Sequence, residues 1–271
     1  MFPIQRILVA AGLEPAAVIC AAEKMRLLFP GAEVETFHLE GGPSGELLDE
    51  MLCRAVDWRA DLIVVGARRH VMASRTAMLA PCSVLMVPDE VEFSFGRILA
   101  PVDFSDPSSD SVRIGYELAR AAGVEFRAAA VESDDEPWLP SEGRHEDVLE
   151  RLRDFATRAA GPGAAEGAIV EPLARSSAML RNGSLSPARR IEGADIASTI
   201  VAVARRERAS LIVMGTRGRT RSASVLLGSV TEKTIQLSPV PVLAVKRFGA
   251  QMGLLEGLLE RLRQQPPIRT N

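Results

Sequence analysis

The stretch Arg59-Ala60-Asp61-Leu62-Ile63-Val64-Val65-Gly66-Ala67-Arg68 returns later in the chain as Arg208-Ala209-Ser210-Leu211-Ile212-Val213-Met214-Gly215-Thr216-Arg217. Each is a short apolar run that ends on glycine. That is the pattern of a strand buried on both faces of a parallel sheet. Two further anchors recur in the same order around it. Arg6-Ile7-Leu8 matches Arg97-Ile98-Leu99, and Val84-Leu85-Met86-Val87 matches Val242-Leu243-Ala244-Val245. The separation grows along the chain, from 91 residues (6 to 97) to 149 (62 to 211) and 158 (84 to 242). Three matches in one order point to an internal duplication, with extra residues inserted in the second copy.

Around these anchors, strands alternate with helices. The second copy predicts strands at Arg97 to Pro101, Glu125 to Val131, Ile169 to Leu173, Leu211 to Met214 and Val240 to Val245. Between them, helical faces are formed by Val112, Tyr116 and Ala119, by Val148, Leu152, Phe155 and Ala159, and by Ile196, Ile200 and Val203. This alternation predicts an α/β fold, a doubly wound parallel sheet with right-handed crossovers. The first copy predicts strands near Ile7 and at Val34 to His38, Leu62 to Val65 and Val84 to Val87, and helices at Pro15 to Leu28 and Gly45 to Arg59. It offers no candidate for the middle strand. The expected division is 1–92, 93–248 and a tail, 249–271. The link Pro88 to Phe95 is short, so the two domains are expected to pack together.

Two segments stand outside the repeat. Ser176 to Arg190 is polar and basic around Asn182-Gly183, as in an inserted loop or hairpin. In the tail, Leu254, Leu255, Leu258, Leu259 and Leu262 share a helical face that stops at Pro266-Pro267. This amphipathic helix is expected to cover its own domain or a second subunit.

Composition removes several function classes. The chain has 271 residues, 47% of them hydrophobic, and a mean hydropathy of +0.10, enough for a real core. Lys plus Arg is 32 against 35 for Asp plus Glu, a net charge of −3, which argues against a nucleic-acid or membrane-surface binder. Aromatics are 4%, too few for base-stacking platforms. Cys20, Cys53 and Cys82 are scattered, as are His38, His70 and His145, so neither a disulfide framework nor a metal motif is expected. There is no signal-peptide pattern and no long apolar span, so a cytoplasmic protein is expected.

The chemistry-bearing pattern follows the second repeat anchor. It reads Gly215-Thr216-Arg217-Gly218, nine residues, then Gly228-Ser229. In an open α/β sheet, ligands bind at the carboxyl ends of strands where the strand order reverses. Glycines there let the backbone approach a phosphate or adopt positive φ. Gly228-Ser229 then opens a helix, whose free N–H groups favour an anion. Arg217, Arg219 and Arg221 lie in the same loop without an acidic neighbour. There are plainer readings: Ser229-Val230-Thr231-Glu232 is a capping box by itself, and Gly215 could simply end a strand. The first copy weighs against them. Arg69 stands there at the place of Gly218 and nine residues of the loop are missing, yet the sheet anchors survive. Asp103, at the end of the first strand of the second copy, can accept hydrogen bonds from ribose hydroxyls. The matching stretch Ala10-Ala11-Gly12 lacks the carboxylate.

Gly215-x-x-Gly218, nine residues and Gly228-Ser229 resemble the ATP-binding signature of the universal stress protein family. Ile98 to Ser105 and Pro239 to Val245 resemble that family too. The likeness covers residues 96 to 248 well and residues 1 to 92 as a degenerate copy. It implies a tandem protein of two Rossmann-like sheets, of the adenine nucleotide alpha hydrolase kind. It also implies ATP, with or without Mg²⁺, as the ligand. Val102 and Val131 would then line the adenine pocket through backbone groups, with Pro101 and Met214 as further nucleotide-binding residues. Asp103 would bind ribose and help hold a metal. Gly215 would lie under the ribose and α-phosphate, and Gly218, Arg219, Gly228, Ser229 and Val230 would cradle the phosphates. Pairing of the last strands, Val84 to Val87 with Val240 to Val245, would make a pseudo-dimer within one chain, and a homodimer of chains is the other expectation.

No nucleophile stands beside a base and no lysine lies in the glycine loop, so hydrolysis is expected to be slow or absent. Asp134, Asp135 and Glu136 are candidates for Mg²⁺, with a solvated acidic loop as the plainer reading. No Walker A, GxGxxG or G-x-S-x-G motif occurs. The competing reading is an interaction scaffold that no longer depends on nucleotide.

Overall fold

The computed structural model describes residues 4–12, 15–39, 44–66, 70–88, 91–132, 144–172, 193–216 and 227–246. The first part of the chain runs β1 (Arg6–Ala11), α1 (Ala16–Leu28), β2 (Glu33–His38), α2 (Ser44–Asp57), β3 (Leu62–Gly66), α3 (His70–Leu79) and β4 (Ser83–Val87). The second runs β5 (Arg97–Val102), α4 (Asp106–Ala122), β6 (Phe126–Glu132), α5 (Arg144–Ala160), a single 3-10 turn (Pro162–Ala164), β7 (Ile169–Pro172), α6 (Gly193–Arg206), β8 (Ala209–Gly215), α7 (Ser229–Leu237) and β9 (Val242–Val245). Every strand expected from the apolar runs forms, with ends shifted by one or two residues. Among the described residues, α3 is the helix that the sequence reading missed.

All nine strands join one sheet in the order β2-β1-β3-β4-β9-β8-β5-β6-β7. Pairing is parallel throughout except at the centre. There β4 and β9 run antiparallel, with Val84 opposite Ala244, Leu85 opposite Leu243 and Met86 opposite Val242. The two expected sheets are therefore continuous. Alternation along each strand sends side chains to two cores. Ile7, Val64, Leu85, Ile98, Val213 and Leu243 lie under α1, α4 and α5. Leu8, Ile63, Met86, Leu99, Ile212 and Ala244 lie under α2, α3, α6 and α7. Both cores run through the seam from one half into the other.

The halves repeat each other in side-chain detail. The Arg6 guanidinium donates to the Trp58 carbonyl at 3.0 Å, and Arg97 donates to the matching carbonyl of Glu207. Asp61 accepts from the Gln5 amide at 2.8 Å where Ser210 accepts from the Gly96 amide at 2.7 Å. Arg59 and Arg208, the residues that turn the chain into β3 and β8, are both left-handed, with φ of 53° and 52°. Thr76 and Thr234 each bond the carbonyl four residues back, at 2.8 Å. What the first half lacks is the counterpart of α5 and β7, so β2 is its outer strand.

Leu85 and Leu243 face each other across the seam at 0% and 2% exposure. Leu243→Ala is expected to lower stability by about 2–5 kcal/mol. Urea transitions followed by circular dichroism and by intrinsic fluorescence should coincide, because the cores are shared. Two separated transitions would show that the halves unfold independently.

Candidate functional site

The strand order reverses between β5 and β8, so their carboxyl ends flank the switch point of the second half. Pairing between them runs from Arg97 opposite Ala209 only to Leu99 opposite Ile212, although both strands continue. On its other side β5 stays paired to its end, with Pro101 opposite Ala129 and Val102 opposite Ala130. Pro101 has no N–H, so β5 cannot donate the next rung toward β8. The first half makes the comparison direct. There Ala10 occupies the place of Pro101, and β1 and β3 stay paired through Val9 opposite Val64 and Ala10 opposite Val65. The same frame is closed in one half and unpaired at its mouth in the other.

Beyond Val102 the chain turns sharply. Phe104 is left-handed with φ 63°, a conformation that costs a side-chain-bearing residue about 1–2 kcal/mol. Helix α5 offsets this: the Phe104 ring meets Phe155 edge-on at 5.6 Å, and the Arg151 guanidinium lies 4.1 Å above its centre. The turn sets Asp103 and Ser105 side by side. Asp103 Oδ1 accepts from the Ser105 amide at 3.0 Å and from its hydroxyl at 2.5 Å. Ser105 in turn caps α4 by accepting from the Ser108 amide at 3.4 Å, and Pro107 stands in the first turn, where its missing N–H costs nothing. Asp103 is half-buried, so its carboxylate is both held and reachable.

Gly215 closes the other side. A Cβ there would lie 2.8 Å from Pro107 Cβ and 2.9 Å from the Pro107 carbonyl oxygen. Its glycine is thus demanded by the close approach of β8 to the start of α4. Positive φ is not the reason at either Gly215 or Gly228. Among the described residues, positive φ at glycine occurs at Gly31, Gly123 and Gly161. The expected capping box is also corrected. Gly228 is the N-cap of α7 in extended conformation, Ser229 is already the first helical residue, and no side chain caps the helix. The register is one residue off what S-x-x-E needs, because the Gly228 amide is spent on the Thr216 carbonyl at 2.7 Å. Gly228 has no side chain with which to cap the first-turn amides of α7.

Two threonines that the sequence reading did not single out tie the parts together. Thr231 Oγ1 donates to the Gly215 carbonyl at 2.8 Å, and Thr216 accepts from Gly228. Both are buried, and both flank the glycines that drew attention first. The side chains of Val102 and Met214 point into the two cores at 7% and 5% exposure, so only their backbones can meet a ligand. Val131 and Val230 are half-buried and Ser229 is exposed. Gly218, Arg219, the other loop arginines, Asp134 to Glu136, the 176–190 segment and the tail lie outside the described residues. Among the described residues no group of three His, Cys, Asp or Glu could hold a metal ion. No helix among them is long and apolar enough to cross a membrane.

The model of the universal stress protein family matches residues 94–246, more than half of the chain. This chain belongs to the universal stress protein family. A universal stress protein of Methanocaldococcus jannaschii is 33% identical over 156 residues, covering 56% of this chain and 83% of the relative. One from Thermus aquaticus is 30% identical over 152 residues, covering 56% of this chain and 99% of the relative. Solved structures match over nearly the full length. A protein of unknown function from Pseudomonas aeruginosa gives a TM-score of 0.58 at 18% identity, covering 96% of this chain and 98% of its own. A universal stress protein from Archaeoglobus fulgidus gives 0.54 at 16%, covering 92% and 98%. At these identities the structures speak for the fold alone.

Gly215→Ala is expected to cost about 1–3 kcal/mol, because the backbone of Pro107 must move to admit a methyl group. Chemical denaturation measures it. Wild-type stability in the variant would show that β8 and α4 are free to part.

Proposed function

We propose that the second half binds an adenine nucleotide, ATP with or without Mg²⁺, and that the protein acts as a nucleotide-responsive stress or regulatory factor. The observation that carries this is the contrast between the halves. One frame is built twice, and only the copy that bears Asp103, Gly218 and Gly228 is unpaired at its mouth. The resemblance of the glycine pattern to the family's ATP-binding signature supplies the ligand. Residues 1–92 and 93–248 are read as two tandem copies of one domain, joined as a pseudo-dimer, on the support of the repeated contacts and the antiparallel seam.

The chemistry of the described donors suits such a ligand. Asp103 accepts hydrogen bonds and is aimed by Ser105, as a ribose hydroxyl requires. The uncapped start of α7 offers amides and a positive dipole end to phosphate. The backbones of Pro101, Val102, Val131 and Met214 would border the base. Asp103 is the carboxylate among the described residues of the site that would help hold a Mg²⁺ ion. Nothing in this set activates a water molecule, so slow hydrolysis at most is proposed. A scaffold role independent of nucleotide is the competing reading.

Two measurements test the proposal. Purified protein is denatured and the released nucleotide identified by chromatography and mass spectrometry, with Gly228→Val as control. Gly228 has a φ of −69°, which valine adopts freely, so the variant should fold. About one ATP per chain, absent from the variant, is expected. No nucleotide and no binding of added ATP would leave the scaffold reading. Asp103→Ala should weaken ATP by about tenfold, roughly one charged hydrogen bond, and should weaken the 2′,3′-dideoxy analogue far less.

A further inference from the structure

Lys246, the residue after β9, is 7% exposed, an unusual place for a lysine. Its amine is held by the first half: Nζ donates to the Met78 carbonyl at 2.8 Å and to the Ala80 carbonyl at 3.0 Å. Its backbone is held there too. The amide donates to Ser83 Oγ and the carbonyl accepts from it, both at 3.1 Å. Met78 and Ala80 mark the C-terminal end of α3, where the helix dipole places negative charge.

The topology puts this clamp beside the proposed phosphate end. Val245 pairs with Gly215, so Lys246 follows the strand neighbour of the glycine that Thr231 of α7 holds. Leu243 and Val245 face the core under α1 and α4, and Ala244 faces the other. Alternation therefore sends Lys246 to the side of α3 and α7, which pack on each other. Because β4 and β9 are antiparallel, the end of α3 lies at the same end of the sheet as the start of α7. Nearby Cys82 does not compete for the amine, since burial pushes its thiol up to about 12 and it stays protonated. In the first half Pro88 follows β4 at the matching place, so that half has no such cation.

We infer that Lys246 is a positioning residue for the nucleotide phosphates: clamped by the first half, it cancels the negative end of α3 and keeps the field at the start of α7 positive. The inference rests on the nucleotide reading above. It gives the first half a part in affinity although that half is not proposed to bind a ligand itself.

The test compares ATP and adenosine binding by calorimetry in wild type, Lys246→Gln and Lys246→Arg. Glutamine removes the charge and keeps a polar NH2 group, one bond nearer the backbone. It is expected to raise the ATP Kd about three- to tenfold and leave the adenosine Kd within about twofold. Arginine should restore the wild-type ratio. Equal weakening of both ligands would overturn the inference and leave Lys246 a structural residue, and so would no change in either. Should Lys246→Gln fail to fold, Lys246→Met, which also removes the charge and keeps an unbranched stem, takes its place: selective weakening of ATP supports the inference, and equal weakening or no change overturns it. If wild type binds neither ligand, it is the nucleotide reading that fails.

Discussion

The antiparallel pairing of β4 with β9 is the constraint on which the rest of the molecule depends. Both strands are apolar on both faces and fully buried. Separated, each would end its half with an open edge of unpaired backbone groups. Joined, they turn two partial sheets into one of nine strands and let both cores run through. The first half has four strands and no counterpart of α5, and its last strand is covered by β9 of the second half.

The same pairing decides what faces the site. An antiparallel join points the strand ends of the two halves in opposite directions, so the two switch points lie at opposite ends of the sheet. One can decay without disturbing the other. The first half closes its switch point by continued β1–β3 pairing through Ala10 opposite Val65. What it presents at the working end of the second half is the tail of α3 and the start of β4. Lys246 occupies that junction.

Much of this was legible in the sequence, and for identifiable reasons. The inner strands β1, β3, β4, β8 and β9 are short apolar runs rich in Ile, Leu and Val, which leave no competing period. Helix α3 escaped because its buried positions are Met72, Ala73, Ser74, Thr76 and Ala77, four of the five too small or too polar to print an apolar face. The missing middle strand of the first half was read correctly as missing. The capping box failed by one residue, since the choice between Gly228 and Ser229 as N-cap is made by the Thr216 carbonyl, a contact from another element. Lys246 was illegible for the same reason. Its burial depends on Met78 and Ala80, far away in sequence, and a lysine after a strand otherwise reads as solvent-facing.

The duplication also separates architecture from function within a single motif. Gly215 belongs to the glycine pattern, and the first half keeps Gly66 at the same place without counterparts of Asp103, Gly218 or Gly228. The contact with Pro107 gives a packing reason for Gly215. Retention of that glycine therefore says little about ligand binding. The information lies where the copies differ: Pro101 against Ala10, Asp103 against Gly12, Gly218 against Arg69, and Gly228 against His70 at the start of the last helix. The first of these differences unpairs the mouth of the sheet, the second places a carboxylate at it, and the fourth puts a residue without a side chain at the N-cap of α7. None of them is needed to fold the frame, as the first half demonstrates. They are the residues on which a loss of function without loss of structure should fall.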